Sequence, residues 1–205
     1  MARAGLTRER VVAAAADLAD TVGFEHITVA ALARGFGVKD ASLYAHVKNL
    51  SDLRVRVAIL AGLDLADRIA DALAGRAGRD ALVAFADAYR DFALAHPGRY
   101  AATQQQELDP TVYDDHPGLR RNLTCTYALL QGYDLAEPDL TDAGRLLRGT
   151  FHGFVSIELA GGFRHRREAG ASWSRAVQAL HVALTNWPSP TNGPSPVNGQ
   201  EGDVS

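Results

Sequence analysis

A ten-residue segment, residues 39–48, concentrates side chains that can contact an anionic polymer. It contains two lysines, a serine hydroxyl, a phenol and an imidazole. These residues are Lys39, Ser42, Tyr44, His46 and Lys48. Such groups reach DNA phosphates or base edges, and the small Ala41 and Ala45 allow close approach to a groove. A solvated helix face in a small all-α domain has the same pattern, so the segment alone leaves both interpretations open.

The positions around Gly37 predict two helices that must orient this segment. Apolar residues recur at helical spacing on both sides of the glycine. They are Val29, Leu32 and Ala33 before it, and Leu43 and Val47 after it. Glycine takes a positive φ without steric cost, as a sharp turn between helices requires. We predict that Thr28 caps the first helix and that residues 39–47 form the second. This arrangement favours a helix-turn-helix unit that reads DNA.

Four stretches in one register carry a family resemblance. They are residues 6–12 (LTRERVV), 23–29 (GFEHITV), 33–38 (ARGFGV) and 42–53 (SLYAHVKNLSDL). Together they resemble the amino-terminal domain of the TetR family of bacterial transcriptional regulators. Gly35 and Phe36 depart from the small and charged residues usual at their positions. The resemblance implies a regulator, most often a repressor, whose partner is a double-stranded DNA operator.

The resemblance also implies roles for individual side chains. The residues expected to bind phosphates are Thr28, Tyr44, His46 and Lys48. The residues expected to face bases are Lys39, Ala41, Ser42 and Leu43, and the Leu43 side chain could also belong to the core.

Composition favours a helical protein with a basic head. Of the 205 residues, 47% are hydrophobic, with alanine and leucine dominant and β-branched residues sparse, a composition typical of helices. Residues 1–56 hold eight basic and six acidic side chains, whereas the remainder holds thirteen and eighteen. A mildly basic head on an acidic body is typical of a small DNA-reading domain joined to a larger domain.

Nothing in the sequence indicates an enzyme or a metal centre. His152 and Glu158 lie about 120° apart on a helix, and no H-E-x-x-H motif or cysteine pair is present. Cys125 is the single cysteine, which excludes an internal disulfide and is typical of a reducing compartment. We expect no metal, no cofactor and no catalytic activity. The sequence shows no membrane-length apolar run and no signal-peptide core, so we expect a cytoplasmic protein.

The rest of the chain predicts a ligand-binding body, an expectation that depends on the resemblance more than on spacing. Aromatic side chains and a few polar groups recur along its helices, which suits a mainly apolar small-molecule effector. The candidate ligand residues are Phe85, Tyr89, Phe92, Tyr100, Thr103, Gln104, Tyr127, His152 and Phe154. Each of them could equally be an ordinary core residue.

Two helices carry patterns that predict a homodimer. Small residues share one face of the first, and apolar residues of the second alternate in steps of four and three. The interface candidates are Gly149, Gly153, Ser156, Ala160, Trp173, Val177, Leu180 and Leu184. Packing within one chain would explain the same small-residue face. Residues 150–163 also resemble the carboxy-terminal domain of a TetR subgroup named for a W-H-G motif, with Phe151 in place of the tryptophan.

We therefore predict an all-α protein with three parts. These are a three-helix helix-turn-helix domain over residues 1–50, a helical ligand-binding and dimerisation domain over residues 51–187, and a disordered tail over residues 188–205. The predicted core of the first part consists of Leu18, Val22, Phe24, Ile27, Leu32, Val38, Leu43 and Val47. We also expect Ser51 to begin the fourth helix, residues 108–117 to form a loop, and Leu123 to face inward.

Two other classes of protein remain possible on the sequence alone. One is a helical small-molecule-binding or enzymatic protein whose head does not read DNA, which is favoured by the presence of only two cations, Lys39 and Lys48, in the reading helix. The other is a dimerisation adaptor whose body has no cavity.

Overall fold

The computed structural model describes residues 6–105 and 108–188. These residues form ten α-helices and two short 3-10 segments, without a strand, so the predicted all-α class is confirmed. The helices are α1 Arg8–Val22, α2 Val29–Phe36, α3 Asp40–Leu43, α4 Leu50–Leu73, α5 Gly78–Ala95, α6 Pro97–Gln105, α7 Pro110–Asp115, α8 Arg121–Gln131, α9 Asp139–Leu159 and α10 Ala169–Thr185. The 3-10 segments are Phe24–His26 and Pro117–Arg120. Apart from Pro188, the predicted tail lies outside the described residues.

Local signals set the ends of the first two helices, and the predicted roles of Thr28 and Gly37 are confirmed. The Thr7 hydroxyl accepts a hydrogen bond from the Arg10 amide at the start of α1, and the Thr28 hydroxyl accepts one from Ala31 at the start of α2. These bonds satisfy amide groups that have no partner within the helix. Gly37 ends α2 in the left-handed conformation, with φ 67°, which glycine adopts without strain.

The core between the first helices differs from the predicted one at two positions. Val22 is 43% exposed, and Val38 is also exposed. Both predictions are wrong because the chain turns at Gly23 and Gly37, and each turn directs the adjacent valine outward. Leu18 is partly buried, and the other five predicted residues are buried.

The second helix of the unit is shorter than predicted. It spans only Asp40–Leu43, and residues 44–46 continue as turns. The backbone nevertheless stays compact, because the amides of His46 and Val47 both donate to the Leu43 carbonyl. The fourth helix begins at Leu50 rather than Ser51, with Asn49 as its N-cap.

In the body, α4 packs against α1, α5, α6 and α8, and α5 packs against α9 and α10. Residues 108–117 are not a simple loop, because Asp109 caps α7 within them and its carboxylate accepts the Thr111 amide hydrogen bond. Leu123 is 58% exposed and lies outside the core, although it lines the cavity described below. No helix in the described part of the chain is long and apolar enough to cross a membrane.

The apolar face of α10 packs against other helices of the same chain. Trp173, Val177, Leu180 and Leu184 are all buried, and the Trp173 indole donates a 2.9 Å hydrogen bond to the Asp87 carboxylate of α5. Its ring centroid is 5.4 Å from that of Phe151 in α9. Their assignment to a dimer interface is therefore wrong, because α5 and α9 already cover these side chains.

Candidate nucleic-acid interface and ligand cavity

Most of the predicted DNA-contacting side chains lie on the surface of α2, α3 and the turn that follows. Lys39, Ala41, Ser42, Tyr44 and Lys48 are exposed, as is Thr28, and His46 is half-buried. Tyr44 projects furthest among the apolar side chains of this region, with 53% of it exposed. The surface therefore presents two ammonium groups, a hydroxyl and a phenol that can donate to phosphates or base edges.

Leu43 does not belong to this surface. It is fully buried, because α3 must contribute an apolar side chain to the core of the three-helix unit. Its predicted base contact is wrong, and its predicted core role is confirmed. The backbone carbonyl of His46 accepts a 3.1 Å hydrogen bond from the Arg8 guanidinium of α1, a contact that does not involve the imidazole expected to bind phosphate.

The turn after α3 is held by the first turn of α4, an arrangement that sequence reasoning missed. The Asn49 side chain accepts the Asp52 amide hydrogen bond at 2.8 Å, and the Asp52 carboxylate accepts the Lys48 amide at 2.9 Å. Burial acts to raise the pKa of Asp52, but hydrogen bonds from Arg56 and the Lys48 amide outweigh it and hold that pKa below its ordinary value. The N-x-x-D spacing resembles a capping box and was the available signal. The pair fixes Lys48 relative to α4.

The body contains a partly open cavity of about 710 Å³, within the size range of small-molecule sites. Helices α4, α5, α6, α8 and α9 contribute to its walls. Of the predicted ligand residues, five line it, and they are Phe85, Tyr89, Thr103, Gln104 and Tyr127.

Four other predicted ligand residues do not line this cavity. Phe92 is buried beside His96, under the Arg68 guanidinium. Phe154 packs on Trp173 and Phe163. Both are structural side chains, so their assignment as ligand contacts is wrong. Tyr100 and His152 do not reach the cavity either, and Tyr100 is hydrogen-bonded to Tyr89, which lines it.

Tyr100 and His152 support the wall through a chain of hydrogen bonds. The Tyr100 hydroxyl lies 2.9 Å from that of Tyr89 and 2.6 Å from His152 Nδ1. Burial, and then the neighbouring Tyr100, raises the pKa of Tyr89, so its phenol stays protonated and can donate to Tyr100. Tyr100 in turn can donate to the imidazole. These hydrogen bonds fix the Tyr89 ring at the cavity. They end at His152, which lines a smaller adjoining recess of about 370 Å³.

Sequence reasoning missed the charged part of the cavity lining. Arg120, Arg145 and Arg148 line the cavity together with Asn122. Arg145 and Arg148 are three residues apart on α9 and therefore share a face. That spacing was the available signal, but only the fold shows that their face meets α6 and α8.

Helix α6, which lines the cavity, also contacts the head, as α4 does. At Gly98 it approaches α1 so closely that a Cβ atom would lie 2.0 Å from the Ala19 carbonyl carbon and oxygen. The Asp20 carboxylate accepts the Arg99 amide at 2.8 Å and is paired with the Arg99 guanidinium. One turn further along, Ala102 and Thr103 line the cavity. A ligand and the head therefore contact the same short helix.

The described residues offer little support for a catalytic site. No group of three or more histidine, cysteine or acidic side chains that could hold a metal is found among residues 6–105 and 108–188. Glu158 is bound by Arg90 through two hydrogen bonds of 2.9 and 2.6 Å. Burial raises the pKa of the Cys125 thiol, which disfavours the nucleophilic thiolate.

Comparison with known proteins agrees with this arrangement of head and body. A family model described as Tetracyclin repressor-like, C-terminal domain, matches residues 82–180. An uncharacterised HTH-type transcriptional regulator of Mycobacterium tuberculosis is 35% identical over 158 residues, which are 77% of this chain and 72% of that protein. The uncharacterised HTH-type transcriptional regulator YobS of Bacillus subtilis is 31% identical over 185 residues, or 89% of this chain and 94% of YobS.

Solved structures share the fold at lower sequence identity. A protein of unknown function from Rhodococcus sp. RHA1 superposes with a TM-score of 0.75 at 20% identity, over 90% of this chain and 98% of that one. The TetR family transcriptional regulator PfmR of Thermus thermophilus superposes with a TM-score of 0.62 at 22% identity, again over 90% and 98%.

Proposed function

The chain belongs to the TetR family of helix-turn-helix transcriptional regulators, and we propose that it is a repressor released from its operator by a small molecule. Its relatives are transcriptional regulators, and the chain is a DNA-binding regulator of the same kind. The observation that carries the rest of the proposal is the position of α6, which lines the cavity and also packs on the DNA-reading head. The proposed regulator acts in the cytoplasm and has no enzymatic activity.

In this proposal the head reads a major groove as half of a homodimer. Thr28, Tyr44, His46 and Lys48 anchor phosphates, and Lys39, Ala41 and Ser42 face base edges. Each phosphate contact adds affinity that salt weakens, whereas base contacts discriminate between sequences. Two heads related by a two-fold axis read a partly palindromic operator whose half-site spacing matches the distance between them.

Release follows from the two contacts of α6. A ligand that fills the cavity best when α6 is displaced favours a different placement of α1, and thus of the head. The ligand can shift the equilibrium only by its difference in affinity for the two states. The Gly98 contact supports this route, because little movement of α6 is possible there without movement of α1.

The test is binding of the purified protein to the DNA immediately upstream of its own coding region, titrated with salt. We expect saturable binding to one partly palindromic site, well above binding to a scrambled duplex. Equal binding to both duplexes at every salt concentration would contradict operator recognition at that locus. Absence of binding at low salt would favour a head that does not read DNA.

Tyr44→Ala provides the residue-level test of the same interface. Because Tyr44 is exposed and stabilises no core, we expect operator affinity to fall by about tenfold, or about 1.4 kcal/mol, with unchanged thermal unfolding. Arg175→Ala is the control, since Arg175 is exposed on α10 in the body, and it should bind like the wild type. Unchanged affinity in Tyr44→Ala, or loss of helix content by circular dichroism, would argue against the assigned contact.

A further inference from the structure

The described cavity lining combines apolar walls with charge of one sign only. Its walls include Leu65, Phe85, Leu147 and Phe151. Its charged side chains are Arg120, Arg145 and Arg148, and no aspartate or glutamate is among the described residues that line it. A mainly apolar lining with a few charged groups orients a ligand through those groups.

Arg148 differs from the other two arginines in its partners among the described residues, and it is exposed on α9. Arg120 and Arg145 form exposed ion pairs with Asp114 and Asp142 at 2.8 and 3.3 Å, and exposed pairs contribute little and exchange readily. Arg148 has no ion pair or hydrogen bond among the described residues. Burial raises the pKa values of Tyr89 and Tyr100, and the positive charge of Arg148 offsets part of that rise.

Two of the three arginines line both empty spaces. Arg145 and Arg148 line both the large cavity and the smaller recess, as does Gln104. The recess contains no acidic lining residue in the described part of the chain either; its other members are Gly149 and His152. Two guanidinium groups on one helix face, beside an imidazole and an amide, provide several donors for one oxyanion.

A second polar position lies elsewhere in the lining. The Oδ1 atom of Asn122 is buried and has no hydrogen-bond partner among the described residues, and Asn122 lines the cavity. An acceptor in this condition is costly unless a bound molecule supplies a donor. A hydroxyl or N–H group on the ligand would satisfy it.

We infer that the effector is an amphipathic anion, whose carboxylate or phosphate group binds Arg148 and Arg145 while its apolar body fills the space against Phe85 and Leu65. This inference rests on the ligand response proposed above and adds the chemical class of the ligand. A cation would be repelled by the guanidinium groups, and an uncharged molecule of the same size would form no ion pair with Arg148.

Four probes that share a ten-carbon chain test this inference by isothermal titration calorimetry on the full chain. They are decanoate, decyl phosphate, 1-decanol and decylammonium. We expect at least one anion to bind at least tenfold more tightly than the alcohol and the ammonium. The ratio of decanoate to decyl phosphate affinity then identifies which oxyanion the site prefers.

Matched variants locate the charge effect. Arg148→Gln and Arg145→Gln should each reduce anion affinity at least fivefold and leave 1-decanol binding unchanged. Arg175→Gln, which removes an exposed arginine of α10 outside the cavity, should change neither. Persistence of anion preference in both cavity variants would overturn the assignment to these arginines.

The remaining outcomes separate this inference from the proposed function. Equal affinity for all four probes, or preference for decylammonium, would overturn the inferred charge selection while leaving a ligand-responsive regulator intact. Binding of none of them would overturn the inference as well, and operator binding by the same preparation would show whether the regulatory function stands independently.

Discussion

Gly98 shows at the scale of one residue how closely the body and the head are joined. A methyl group at this position would overlap the Ala19 carbonyl and lie 2.5 Å from the Asp20 amide nitrogen. These are backbone atoms within α1, so they cannot rotate away as a flexible side chain could. We therefore expect Gly98→Ala to lower the free energy of unfolding by about 1–3 kcal/mol, as measured by urea denaturation.

Gly35→Ala is the matched control for this prediction. Gly35 is also helical, but an added Cβ would meet no atom within 4 Å. Because alanine favours a helix over glycine, the control should stabilise the protein by about 0.5–1 kcal/mol. The same sign of change in both variants would contradict the close approach of α6 and α1.

At the scale of an element, the first turn of α4 connects the DNA-reading turn to the long central helix. The Asp52 carboxylate accepts hydrogen bonds from the Lys48 amide and the Arg56 guanidinium. Although burial acts to raise the pKa of Asp52, these bonds hold it below its ordinary value. The ionised group thus contributes stability that is complete above the unfolded-state pKa of about 3.9. That contribution is lost as pH falls through the lower folded-state pKa.

Asp52→Asn should therefore lower the free energy of unfolding at pH 7 by about 1 kcal/mol and flatten its dependence on pH below about pH 4. Asp80→Asn is the control, because Asp80 occupies the same position in the first turn of α5, is exposed, and belongs to a helix without a side-chain cap. Urea unfolding across the acid range measures both. Identical pH profiles for the two variants would show that the Asp52 bonds contribute nothing specific.

The ends of the helices are the features that the sequence predicts well. The capping roles of Thr7, Thr28 and Gly37 were predictable because a cap involves residues three or four positions away. The length of α3 was not, because the turn at residues 44–46 is held by Arg8 of α1 and, through Lys48, by Asp52. Such contacts come from other elements and leave no local periodicity.

At the scale of the whole molecule, periodicity shows that a helix has an apolar face but not which partner covers it. The apolar face of α10, which includes Trp173 and Leu184, has the spacing of a helix-helix contact. Its partners are α5 and α9 of the same chain. The cavity is a similar case. Aromatic residues such as Phe85 and Tyr89 were predictable as candidates for the cavity lining, whereas the place of Arg148 in that lining depends on how α9 packs against other helices.

The dimer is the prediction that belongs to the whole molecule, and after the correction to α10 it depends on the small-residue face of α9. An added Cβ at Gly149 or Gly153 would meet no atom of the described residues within 4 Å, and Ala160 on the same face is exposed. Glycine inside a helix costs about 1 kcal/mol relative to alanine, and packing within the chain does not require it at these positions. Close approach of a second α9 across a two-fold axis would require it.

Gly153→Gln tests this directly by sedimentation velocity. A long side chain should separate the two α9 helices and raise the dimer dissociation constant at least tenfold, or about 1.4 kcal/mol. Operator affinity should fall with it, because each monomer then binds one half-site, and should recover at higher protein concentration. Gly35→Gln, which adds the same side chain at an open helical position of the head, should remain dimeric. If Gly153→Gln associates like the wild type, the small-residue face is not the interface, and the two heads must be spaced through a different surface.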